Sequence, residues 1–256
     1  MPEEGALVVY GRGADLGNFK FFADDLVTTE LTSFKRENIV IKNVERRNVF
    51  FDLLNNPPFT FKVKEFHIYA HSIGGGLFLA YKDQAVQNLR NGIVAPARGG
   101  TASYTSVLNT EIGTIFTDDL IRSPYSGYRT RIRTLFSNNA KIKIWGCNSG
   151  VANWVYSDED SNGNLVYDLN AHANSYYWRA LNEFNMPKPS IAQAFANYFQ
   201  VTTYGATSGS SIQVKYQGRW VSSPEFLRAT RRRTVNEQDV LRLAPDRGNY
   251  NEYRPQ

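Results

Sequence analysis

A single cysteine, Cys147, stands among the 256 residues. That excludes an intramolecular disulfide and any zinc site built from several thiolates. The three histidines, His67, His71 and His172, leave little for a histidine-built metal centre. No stretch approaches the roughly 18 consecutive apolar residues of a membrane-spanning helix. The opening Met1-Pro2-Glu3-Glu4-Gly5 is acidic where an export signal is basic. These absences lead to an expectation of action in a reducing compartment: cytoplasmic, or inside a target cell reached without a classical signal peptide.

An excess of one charge is also lacking. The 29 Lys and Arg against 24 Asp and Glu leave a net charge of +5, too mild to mark a nucleic-acid partner. The sharpest basic cluster, Arg228 with Arg231, Arg232 and Arg233, reads first as a solvated helix face and second as a phosphate patch. Gly11-Arg12-Gly13 lacks the spacing of either nucleotide-binding fingerprint.

What is present is core material, with 42% apolar and 14% aromatic residues. Short apolar runs closed by Gly, Asn or Ser recur: Ala6 to Tyr10, Asn38 to Val44, Glu65 to Ala70, Lys141 to Gly146 and Val201 to Gly205. Such runs suit strands of a sheet covered on both faces. Helical spacing lies between them, over Phe19 to Phe34, Val44 to Leu54 and Ser190 to Phe199, the last with Ser190 placed to cap it. Alternation of this kind predicts one α/β domain over 1–256, a three-layer sandwich around a mainly parallel sheet. Two segments, about 92–130 and 151–189, break the alternation and read as insertions at the sheet's edge. The tail, about 245–256, is expected to fray.

The chemistry concentrates at two strand ends. The third candidate strand runs into His71-Ser72-Ile73-Gly74-Gly75-Gly76, and the fourth into Gly146-Cys147-Asn148-Ser149-Gly150. In an open α/β sheet, ligands bind outside the carboxyl ends of the strands. If these two strands are neighbours, His71 and Cys147 face one crevice. An imidazole favours the thiolate and later protonates a leaving group, and free N–H groups beside small residues stabilise an oxyanion.

The blocks Phe66-His67-Ile68-Tyr69-Ala70-His71-Ser72 and Ile142-Lys143-Ile144-Trp145-Gly146-Cys147 resemble the two catalytic blocks of the caspase-like cysteine peptidases, the group that includes caspases, gingipains, clostripain-type and separase-type enzymes. The resemblance spans roughly 6–206 as an order of strands, but only these two blocks as motif. It departs in two places. Ser72 follows the histidine where Gly is common in the family, and the Gln-Ala lead to the caspase cysteine is missing, so aspartate specificity does not carry over. The resemblance implies a caspase-like fold and a cysteine endopeptidase acting on a protein or peptide. Cys147 would be its nucleophile and His71 its proton donor. N–H groups of Cys147 and of a residue in Ser72, Ile73 and Gly74 would hold the oxyanion. It also implies that Tyr204, Thr207 and Ser208 flank the substrate. A bacterial effector or toxin domain is the context such an enzyme suggests.

Two other readings stand beside it. Ala70-His71-Ser72-Ile73-Gly74 resembles the nucleophile elbow of α/β-hydrolase lipases and esterases, with Ser72 as nucleophile. His172 would then be the base and Asp158, Asp160 or Asp168 the acid. A non-catalytic binding module is the third. Finally, Asp158-x-Asp160-x-Asn162-Gly163 matches the first half of a calcium loop, although Leu169 occupies the position where the closing Glu belongs. A polar hairpin is the plainer reading, with no cofactor required and calcium as the alternative.

Overall fold

The computed structural model describes residues 2–12, 19–80, 113–121, 123–152, 189–236 and 238–256. Its centre is a six-stranded sheet. The strands are β1 (Glu4–Tyr10), β2 (Ile39–Asn43), β3 (Lys62–Tyr69), β7 (Phe136–Ile144), β8 (Thr202–Ala206) and β12 (Tyr250–Tyr253). Their spatial order is β12-β8-β7-β3-β1-β2. Every pairing is parallel except β12 with β8. All five strand runs read from the sequence are present, so an α/β fold with a mainly parallel central sheet is established.

Burial on both faces explains the unbroken apolar runs. Leu7 and Val9 of β1 pack to one side with Phe66 and Ile68 of β3, while Ala6, Val8 and Tyr10 pack to the other with Tyr69 and Trp145. Helix α1 (Lys20–Thr29) covers the second side through Phe22, Ala23, Leu26 and Val27. Helices α2 (Arg47–Asn55), α3 (Tyr125–Arg133) and α4 (Ile191–Phe199) cover the first through Phe50, Phe51, Leu54, Ile132, Phe195 and Phe199. At about 25 cal/mol per Å² of apolar surface removed from water, these two aromatic-rich layers supply the dominant folding term.

Helix α4 forms where the sequence predicts it. Ser190 adopts the extended backbone of a cap, and its hydroxyl accepts a hydrogen bond from the Gln193 N–H at 3.1 Å.

Two smaller sheets flank the centre. Strands β4 (His71–Ile73), β5 (Gly76–Phe78) and β6 (Thr114–Phe116) form one. Strands β9 (Ser210–Tyr216), β10 (Arg219–Ser222) and β11 (Leu241–Pro245) form the other, in the order β10-β9-β11, with helix α5 (Ser223–Thr230) after β10.

From residue 114 the latter part of the 92–130 segment builds β6, a 3-10 turn (Thr117–Leu120) and the start of α3. One expectation needs correction. The tail does not fray at 245. It returns as β12, registered from Tyr250↔Ala206 to Tyr253↔Thr203, because the exposed edge of β8 offers unpaired N–H and C=O groups. Most of the 151–189 segment lies outside the described residues.

Candidate functional site

The sheet order reverses between β1 and β3, where a ligand crevice is expected at the carboxyl rim. Here that position is filled. Gly11 N–H donates to Tyr69 O at 2.8 Å, Arg12 N–H donates to Leu79 O at 2.7 Å, and Arg12 bridges Ala80. The next junction along the rim is that of β3 and β7.

That junction carries His71 and Cys147. Strands β3 and β7 pair in parallel with Ile68 opposite Ile144, and Trp145 N–H donates to Ile68 O at 2.9 Å. His71 and Cys147 each follow their member of the last registered pair by three residues. Both strands then leave the sheet, and their exits touch. A Cβ added to Gly146 would lie 2.5 Å from Ser72 Cβ and 2.6 Å from Ala70 O. Only glycine permits this approach.

Helix α4 clasps both exits. Its Ile191 N–H donates to Gly74 O at 2.6 Å, in the His71 hairpin, and its Ala192 N–H donates to Ser149 O at 3.0 Å, in the turn after Cys147. The unpaired N–H groups of a helix start thus fix the two loops against each other.

The turn after Cys147 is built from side chains suited to it. Asn148 is left-handed, with φ 54°, a conformation asparagine tolerates better than most residues. Its N–H donates to Ser208 O at 2.9 Å. Ser149 is fully buried; its hydroxyl donates to Ile144 O at 3.4 Å and accepts from Ala206 N–H at 3.0 Å, joining the ends of β7 and β8.

Cys147 itself is half-buried and free, and its Sγ accepts a hydrogen bond from Ser210 N–H at 3.2 Å. His71 is half-buried, with the Phe19 ring edge-on at 5.2 Å.

Ser72 lies 3% exposed, and its hydroxyl is buried without a hydrogen-bond partner. It is the middle residue of β4, and the chain turns at Gly74 and Gly75 into β5 rather than into a helix. The elbow geometry that would present a serine is absent here. His172, Asp158, Asp160, Asn162 and Asp168 lie outside the described residues, so the serine triad and the calcium loop have no described partners. Among the described residues, no three His, Cys, Asp or Glu side chains gather as a metal site. No described helix is long and apolar enough to cross a membrane.

The predicted substrate-flanking residues divide. Thr207 is exposed just past β8, and Ser208 is bonded to the Cys147 turn through Asn148. Tyr204 sits mid-strand, its hydroxyl donating to Glu252 at 3.1 Å, below the rim. The arginine cluster is split as well. Arg231 ends α5 in a left-handed conformation, and Arg232 forms a two-pronged pair with Asp239 at 2.8 and 2.7 Å.

Residues from the chain's end complete the surroundings. Tyr250 packs edge-on against Trp145 at 5.3 Å, and Tyr253 donates its hydroxyl proton to Gly150 O. Burial is the main cause holding the Tyr250 phenol well above its usual range.

Beneath the rim, His67 is structural. Trp145 Nε1–H donates to its Nδ1 at 3.2 Å, so in the neutral ring Nε2 carries the proton and donates to Glu65 at 3.0 Å. That bond holds the Glu65 carboxyl below its usual range.

Lys143, with its ammonium 3.6 Å from the Trp145 ring centroid and 4.5 Å from that of Tyr250, is lowered by burial to about 8. Its folded pKa lies below the unfolded value of 10.5, so the unfolded chain binds more protons between these limits and stability rises with pH across that window. Tyr69, Tyr198 and Tyr250 titrate above 10 when folded and act oppositely from that point. The urea midpoint should therefore increase from pH 7.5 to 9.5 and fall above pH 10. Lys143→Met should raise the midpoint at pH 7.5 and flatten the rise; an unchanged slope in that variant would remove Lys143 as its source.

A groove of about 420 Å³, lined by residues including Val27, Leu31, Ile39 and Ile41, lies beside edge strand β2 and touches neither His71 nor Cys147. Comparison with protein-family models, curated proteins and solved structures finds no match to this chain.

Proposed function

We propose that the protein is a caspase-like cysteine endopeptidase with a His71–Cys147 dyad. One observation carries this reading: the only cysteine and a histidine leave adjacent parallel strands at the same step beyond the Ile68↔Ile144 pair, with α4 clasping both exits. In outline, Cys147 Sγ attacks the scissile carbonyl carbon and forms the tetrahedral intermediate. His71 gives a proton to the departing amine as the C–N bond breaks. It then takes a proton from the water that cleaves the thioester, returning the free thiol and a carboxylic acid. The Cys147 N–H is available to the developing oxyanion, being bonded to no acceptor among the described residues.

The deciding experiment exposes the native protein in parallel to thiol-directed and serine-directed active-site probes and maps the adduct by mass spectrometry. Labelling of Cys147 supports the peptidase. Labelling of Ser72, or an inert Cys147, refutes it.

Ser72→Ala separates the two chemistries a second way. The hydroxyl is buried and unpartnered, so its loss should leave the thermal midpoint unchanged or slightly higher. Peptide hydrolysis should fall by less than about threefold, as for removal of a weak, non-reacting contact. A loss of several orders of magnitude would move the nucleophile to Ser72.

A further inference from the structure

We propose that Phe19 is a positioning residue for the dyad: its ring holds the His71 imidazole in the orientation from which protons pass to and from the substrate. The proposal deepens the cysteine peptidase reading and rests on it.

Phenylalanine is out of place at this point of the chain. Phe19 is the residue before α1, where a side-chain oxygen commonly accepts a free N–H group of the first turn. Here no side chain caps the helix, and its first turn carries no acid. A residue that breaks a local rule points to a use elsewhere in the fold. The Phe19 ring is 6% exposed and stands edge-on to the His71 imidazole, at 66° with the centroids 5.2 Å apart. That is a favoured geometry for an aromatic pair.

The ring is firmly mounted. Phe19 N–H donates to Gly11 O at 3.1 Å, and Gly11 N–H donates to Tyr69 O at 2.8 Å, which ties the Phe19 backbone to the strand that leads into His71. Gly11 in turn lies so close to β5's continuation that a Cβ there would stand 2.3 Å from Leu79 O. Phe22 tilts against Phe19 at 6.1 Å and stacks on Tyr69 at 6.1 Å, and Tyr69 stacks on Trp145 at 5.2 Å with the planes 7° apart. Tyr69 stands two residues before His71, and Trp145 two before Cys147. One row of rings therefore runs from the imidazole, beneath the rim, to the residues that precede both members of the dyad.

An imidazole has several rotamers, and proton transfer to a given substrate atom uses one of them. His71 is half-buried, so its packed side selects the orientation and its open side meets the substrate. A flat ring against a flat ring restricts both side-chain torsions. An aliphatic side chain of similar bulk fills the volume and lacks the plane. Phe19 itself is buried, so its loss alters the proton transfers rather than the binding of substrate.

The test compares the wild-type protein with Phe19→Leu, which keeps an apolar side chain, and Phe19→Tyr, which keeps the ring, on a peptide that the wild type cleaves. Phe19→Leu should lower kcat at least about tenfold and leave KM within about twofold, and Phe19→Tyr should regain most of the loss. Circular dichroism and thermal melts establish that each variant is folded at the assay temperature; Phe19→Met takes the place of a leucine variant that is not. In histidine-labelled protein, NMR relaxation of the ring Cε1–H should show a rigid His71 imidazole in the wild type and added motion in Phe19→Leu. His67, held by Trp145 and Glu65, should stay rigid in both. A kcat in Phe19→Leu within about twofold of wild type overturns the proposal. So do a loss confined to KM, a tyrosine variant no better than the leucine one, and a His71 ring equally rigid in both proteins. A wild-type protein that cleaves no member of a peptide library brings down the peptidase reading and this role with it, whereas hydrolysis that Phe19→Leu leaves intact removes Phe19 alone.

Discussion

Cys147→Ala is expected to reduce peptide hydrolysis by at least about ten-thousandfold while leaving the fold in place. The first part follows from covalent catalysis: without the sulfur no thioester forms, and positioning with oxyanion stabilisation accounts for what remains. The second follows from the thiol's surroundings. It is half-buried, and among the described residues its one hydrogen bond is the Ser210 N–H contact, so removing it costs about 1 kcal/mol. His71→Ala should lose hydrolysis to a comparable degree. The double variant should be hardly worse than either single one, because two groups that act in one step do not contribute independently. Initial rates on a cleaved peptide, with thermal melts alongside, give all four corners of the cycle. Multiplicative losses would mean that His71 and Cys147 do not work together.

The meeting of the His71 and Cys147 strand ends was readable from the sequence because both residues sit where an apolar strand gives way to small residues. Hydrophobic runs such as Glu65 to Ala70 and Lys141 to Gly146 locate strand ends without knowledge of the partner strand. Parallel pairing of β3 with β7 then brings the ends together.

What escaped has local sequence that disagrees with its final state. Helix α3 carries Tyr, Ser, Gly, Thr and three Arg, and only Ile132 is buried, so it shows no apolar stripe. Strand β12, Tyr250-Asn251-Glu252-Tyr253, is a polar edge strand that exists by pairing with β8. Strands β4, β5 and β6 have three residues each, too few to establish a period. Ser210 and Tyr250 are likewise hidden from a reading along the chain. Their approach to Cys147 depends on long-range closure such as the Tyr253 hydrogen bond to Gly150, across 103 residues.

The largest effect on stability is expected at Asp119. Its carboxylate meets Arg47 Nη1 at 2.8 Å, with the two side chains only 7% and 5% exposed. Arg47 begins α2, and Asp119 lies in the 3-10 turn that follows β6. Strand β6 pairs with β5, and β5 with β4, which starts at His71. The ion pair therefore anchors the His71 hairpin to the helical layer on its side of the sheet. Asp119→Ala takes this carboxylate away from a buried guanidinium, and loss of one member of a buried ion pair costs about 3–5 kcal/mol. Against a typical total of about 5–15 kcal/mol, that is enough to bring a domain of ordinary stability near its unfolding threshold. Two charges removed together carry no such penalty, since desolvating the pair offsets most of its attraction. Arg47→Met combined with Asp119→Leu should accordingly recover most of the lost urea midpoint. Because Gly74 remains bonded to Ile191 at the start of α4, hydrolysis should recover with it. A double variant as unstable as Asp119→Ala would mean that the pair contributes specific packing that hydrophobic side chains of similar volume do not replace.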